Sequence, residues 1–161
     1  MRLLSLDPGT TTGWAMFRKP NNRDGYTSGQ IRDDQIWGLL ETARWDSVDV
    51  VLPLGDFVRT TKQKVDLTII CESFQYRQLP KAVLTPVEVI GVVKEWARQN
   101  EVEVIFQTPA QGKFYFSDTR LKAMGLWKPG KPHAMDAMRH LLYFLGFGQG
   151  VVLGQEVVRK S

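Results

Sequence analysis

The sequence predicts an α/β protein with a mixed sheet, an antiparallel meander followed by parallel strands, flanked by helices. Three observations carry that expectation. Short apolar segments separated by turns open the chain, and two apolar runs at 66–74 and 101–109 bracket an amphipathic stretch at 85–100. A second amphipathic stretch, 132–147, closes the ordered part.

Residues 2–7 (RLLSLD) read as a buried first strand ending in an acid, and Pro8-Gly9 turns the chain. The apolar pattern resumes at 13–18 (GWAMFR), and 26–32 (YTSGQIR) supplies a third strand, making a meander. Residues 33–64 read less clearly. Both "DDQIWGLLETARW" and "DSVDVVLPLGDFVRTTKQK" contain helical spacings, the second through Val48, Val51, Leu52 and Val58, with Pro53 and Gly55 interrupting it. "DLTIICESF" at 66–74 is apolar at successive positions, as a central strand covered on both faces must be. The next stretch, 85–100, has Thr85 to cap it, Pro86 for its first turn, and a stripe of Val89, Val92, Val93, Trp96 and Ala97. With the strand at 101–109 it makes a strand–helix–strand unit. The closing helix starts at Pro132 and ends near Gly146, with Met135, Met138, Leu142 and Leu145 on its packing side.

At 161 residues the chain suits one compact domain, expected over 1–147, with a flexible basic tail over 148–161 that ends in Arg159 and Lys160. The composition, 43% hydrophobic and 24% charged, excludes a disordered protein. A formal charge of +4 suits a polyanionic partner without requiring one. Cys71 is the single cysteine, which excludes an internal disulfide and a cysteine-built zinc site. The N-terminal apolar run is too short for a signal peptide, and no segment reaches the ~20 apolar residues of a membrane span. The expectation is therefore a cytoplasmic protein with no membrane partner.

Three metal-competent side chains stand at element ends. Asp7 ends the first strand, Glu72 ends "LTIICE", and Asp136 lies in the first turns of the last helix, three residues after His133. His133, Asp136 and His140 share one stripe of that helix. Each has an ordinary reading: a turn former before Pro-Gly, a solvated strand end, a complement to the helix dipole, a surface histidine. Their combination favours a different one. If the strands ending in Asp7 and Glu72 are neighbours, two carboxylates lie within one metal's reach, and like charges that close need a cation between them. Oxygen ligands select a hard ion such as Mg²⁺. Two such ions ~3.5–4 Å apart stabilise the attacking and leaving oxygens of a phosphodiester displacement.

Taken in order, "LSLDPGTTTGWA", "IICESF" and "HAMDAMRHLL" resemble the successive acidic motifs of the RuvC-type Holliday junction resolvases, which have the RNase H-like fold. The resemblance runs from about residue 2 to 146 and is poor over 33–64. It implies Asp7, Glu72, His133 and Asp136 as catalytic and metal-binding residues, with His replacing an aspartate at the first position of the final pair. It further implies two Mg²⁺ or Mn²⁺ ions per active site, a homodimer, and symmetric nicking of a four-way junction. Compact size and the poor match over 33–64 point to a bacteriophage-encoded member, acting in a bacterial or infected cell.

The segment 109–132 carries Lys113, Arg120, Lys122, Lys128 and Lys131 against one acid, Asp118, with Phe114, Tyr115, Phe116 and Trp127 interleaved. Its cations suit DNA phosphates, and the resemblance makes Lys113 and Lys122 the positional matches to basic residues near the scissile phosphate. Beyond Glu72, Phe74 and Tyr76 are candidates to stack on an unpaired base, and Arg77 to extend the positive surface. Ordinary packing of these aromatics is the competing reading. Two alternatives on function stay open: a flap or packaging nuclease of the same fold, and a non-catalytic branched-DNA-binding dimer. An actin-like or Hsp70-like ATPase is disfavoured, because one lobe and one phosphate loop cannot enclose a nucleotide.

Overall fold

A computed structural model describes residues 1–18, 25–51, 58–74 and 84–148, with the backbone alone over 46–51 and 58–62. Three strands make the meander: β1 (Arg2–Asp7), β2 (Thr11–Arg18) and β3 (Gly25–Arg32). A short 3₁₀ turn, Asp33–Gln35, leads into α1 (Ile36–Arg44). Next come β4 (Trp45–Val51), β5 (Val58–Lys64) and β6 (Leu67–Glu72). The chain continues through α2 (Thr85–Asn100), β7 (Glu103–Gln107), α3 (Pro109–Tyr115), α4 (Asp118–Ala123) and α5 (Pro132–Phe147).

The main sheet has the order β3-β2-β1-β6-β7. β1 pairs antiparallel with β2 and parallel with β6, and β6 pairs parallel with β7. β1 and β6 are thus interior and covered on both sides, which is why their sequences lack a polar alternation. Successive side chains point to opposite faces. Leu4, Leu6, Ile69 and Cys71 meet α1 and α2 on one face through Leu40, Val93 and Trp96. Leu3, Ala15, Phe17 and Ile70 meet Ala134, Met135, Met138 and Leu141 of α5 on the other.

Residues 45–51 and 58–64 correct the expectation of helical character. They pair as antiparallel strands, registered from Trp45 opposite Lys64 to Val51 opposite Val58. Val and Thr supply six of the fourteen residues in these two strands, and such β-branched residues favour a pleated strand over a helix, so the helical spacing is incidental. Pro53 and Gly55 lie outside the described residues, as do Tyr76, Arg77 and the expected tail beyond Gly148. Leu145 also departs from the reading, since it is 38% exposed. The buried stretch of α5 ends at Tyr143, two residues short of it.

Candidate active site

The parallel pairing of β1 with β6 runs to Leu6 opposite Cys71. The next residue on each strand is an acid, so Asp7 and Glu72 leave the core side by side. Both reach the face that α5 covers. His133 Nδ1 lies 2.9 Å from Asp7 Oδ2, and His140 Nε2 lies 2.8 Å from Glu72 Oε2. Two helical turns separate these histidines, which lets one stripe of α5 serve two adjacent strands.

The turn after Asp7 does not consume its carboxylate. Thr12 closes it instead: the Gly9 amide donates to Thr12 Oγ1 at 3.3 Å, and that hydroxyl donates to Gly9 O at 2.9 Å. Asp7 is only 8% exposed, and its pKa is pushed up from 3.8 to about 6. Burial is the largest cause and the neighbouring Glu72 charge the second, while the hydrogen bond from His133 opposes both. Each acid keeps one oxygen without a hydrogen-bond partner among the described residues.

Asp136 is placed differently from the other two acids. It is paired with Lys113 Nζ at 3.1 Å and with Arg139 one turn further along α5. Arg139 also pairs with Asp118 and donates from Nε to Phe116 O at 2.8 Å, tying α4 and the α3–α4 connection to α5. Asp136 still raises the Asp7 pKa through space. The four residues expected as a ligand set therefore gather in one region, but in pairs. Among the described residues no three His, Cys, Asp or Glu side chains converge as a metal site.

Of the expected DNA contacts, Lys113 and Phe74 line, with Glu72, Pro8 and Pro109, a cleft of about 260 Å³ at the ends of the strands. Arg120 donates to Tyr115 O and so spans α3 and α4. Lys122 lies over the Trp127 ring, 5.1 Å from its centroid. Phe114 projects into solvent at 82% exposure, whereas Phe116 and Trp127 pack on the core. Lys128 is docked on β3, its Nζ donating to Ser28 O at 2.7 Å.

Two residues of the site went unassigned in the sequence. His140 stands on the expected stripe but had no partner until β6 and β7 were adjacent. Gln107 ends β7 in register with Glu72, and its Oε1 lies 2.8 Å from His140 Nδ1. A polar residue closing an apolar strand is the signal that Asp7, Glu72 and Gln107 share.

No protein-family model and no curated protein sequence matches the chain. Solved structures do. Thermus thermophilus RuvC in complex with a Holliday junction substrate superposes with a TM-score of 0.59 at 13% identity, covering 92% of this chain and 97% of that one. A second Thermus thermophilus RuvC structure gives 0.56 at 14% identity with the same coverage. The chain has the RuvC fold, the RNase H-like α/β arrangement of mixed sheet and flanking helices.

Proposed function

We propose that this protein is a divalent-metal-dependent endonuclease that nicks four-way DNA junctions or related branched DNA symmetrically, acting as a homodimer in the cytoplasm. The observation that carries the reading is the pairing of buried Asp7 with half-buried Glu72 at the ends of adjacent parallel strands, on a fold shared with a RuvC solved on a Holliday junction. The pair fits a hard dication. Burial and mutual repulsion hold Asp7 at about 6, an imbalance that positive charge between the acids would cancel. Oxygen donors of this kind suit Mg²⁺ or Mn²⁺, two per site.

Asp7 and Glu72 would hold the ions, with Asp136 and His133 completing the set. When bound, the ions supply neutralisation of charge at the reacting phosphate and acidification of a water. The remaining work falls to side chains of the chain itself. His133 donates its Nδ1–H to Asp7, which leaves its Nε2 lone pair free to ligate or to accept a proton. Lys113 stands between Asp136 and the cleft, placed to meet a phosphate oxygen there. Phe74, on the cleft wall, offers a face to an unstacked base, and Arg120, Lys122, Tyr76 and Arg77 would extend the DNA surface.

The test is cleavage of end-labelled four-way junctions, flaps and duplex, with Mg²⁺, Mn²⁺ or a chelator. Paired nicks at the junction in either metal and none in chelator are expected. Asp7→Asn and Glu72→Gln should abolish nicking while holding junction affinity within several-fold, because affinity comes from many phosphate contacts. Cleavage confined to flaps would move the assignment to that substrate, and binding without cleavage in any metal would make the protein a branched-DNA binder.

A further inference from the structure

His140 lies between two strand ends, within 2.8 Å of Glu72 Oε2 through Nε2 and within 2.8 Å of Gln107 Oε1 through Nδ1. His140 and Gln107 are both fully buried, so water does not compete for the contact between them, while Glu72 keeps part of its carboxylate toward solvent. A neutral imidazole has one donor and one acceptor nitrogen, and so cannot serve two acceptor oxygens. A half turn of the Gln107 amide removes the conflict, since the oxygen and nitrogen of an amide occupy nearly equivalent positions. The amide nitrogen, otherwise buried without a partner, then donates to Nδ1, and Nε2–H donates to the carboxylate. The amide oxygen is left single, which is the less costly group to leave so.

We propose that His140, braced from behind by Gln107, is a positioning residue that holds one oxygen of Glu72 through Nε2–H and keeps the other available at the cleft. The proposal rests on the nuclease reading above, in which Glu72 meets the ions. A carboxylate leaving a strand end has two free side-chain torsions beyond Cβ, and a donor fixed by its own hydrogen bond removes that freedom. His140 reaches neither cleft nor substrate. Its contribution is made through Glu72.

Three variants separate this role from packing. His140→Gln keeps an amide donor near the position of Nε2, His140→Leu fills similar space without a donor, and Gln107→Leu removes the brace. In the DNA-free protein, His140→Leu should weaken Mn²⁺ binding in calorimetry by roughly 10–100-fold. Gln107→Leu should weaken it less, and His140→Gln should stay within several-fold of wild type. Circular dichroism should be unchanged throughout. Nitrogen-15 shifts of the metal-free wild type at pH 8 should show His140 as the Nε2–H tautomer. The Nδ1–H tautomer, or a His140→Leu protein that binds Mn²⁺ as wild type does, would overturn the proposal. If His140→Leu does not fold, equal Mn²⁺ affinity in wild type and Gln107→Leu overturns the brace, and the tautomer still decides the Glu72 contact. A wild type that binds no Mn²⁺ and nicks nothing overturns the nuclease reading, again leaving the tautomer to decide that contact.

Discussion

Asp7 is held in a place that disfavours its charge, and the sign of that effect can be measured. A carboxyl whose native pKa is about 6, against 3.8 in ordinary surroundings, keeps its proton longer in the folded chain than in the unfolded one. Stability of the metal-free protein should therefore fall as pH rises from about 4 to about 6 and level off above, by about 3 kcal/mol for this group. Asp7→Asn, which retains an acceptor for His133, should melt several degrees above wild type at pH 8 and show no advantage at pH 4. Thermal melts across pH 4–8 in chelator check this; equal melting at pH 8 would contradict the electrostatic account. His133 offers the complementary case. His133→Ala should be severely impaired in nicking with either metal. His133→Asp should retain activity with a shift from Mn²⁺ toward Mg²⁺, since imidazole is the softer ligand. Because the new carboxylate would face Asp7, that variant should be less stable than wild type in chelator and recover on adding Mg²⁺. Rates in each metal, with melts alongside, decide both points.

At the scale of elements, the site depends on how closely α5 can settle on the meander. A Cβ added at Gly13 would lie 1.9 Å from the carbonyl oxygen of His133 and 2.1 Å from its carbonyl carbon. Backbone cannot rotate out of the way, so Gly13→Ala must lift the start of α5. A cost of about 1–3 kcal/mol is expected, together with a loss of nicking larger than the loss of stability, because His133 moves with the backbone. Urea unfolding and single-turnover nicking measure the two. This closeness was invisible in the sequence, where Gly13 reads only as a residue after a turn. The helices at 85–100 and 132–147 were legible, bounds included, because each has Pro in its first turn and a full apolar stripe. Asp7 and Glu72 were legible because apolar runs deliver them from the interior. His140 and Gln107 were not, since their partnership exists only once α5 crosses β6 and β7. The pairing of 45–51 with 58–64 is not legible, because valines at helical spacing there compete with the β-branched content.

For the whole molecule, Asp7, Glu72 and Asp136 gather in one region of a chain whose net charge is +4, with Lys113 and Arg139 paired to Asp136 there. The 109–132 segment brings Lys113 to that region and carries Arg120 and Lys122 besides, a positive balance that favours approach of a polyanion. Paired nicks on opposing strands need two such sites related by a two-fold axis. Sedimentation of the free protein should therefore give a species of twice 18.3 kDa. An 18.3 kDa species alone, with and without junction DNA, would leave a nuclease that makes one nick at a time.

The contact between Asp7 and His133 spans 126 positions of the chain. At ~5–20 residues per second the synthesis of the two residues is separated by roughly 6–25 s. Throughout that interval the nascent chain holds the acids of β1 and then β6 without the helix that faces them. His133, Asp136 and His140 arrive together on α5, so under the proposed nuclease reading a chain stalled before α5 would hold Asp7 and Glu72 without them and should not nick junctions.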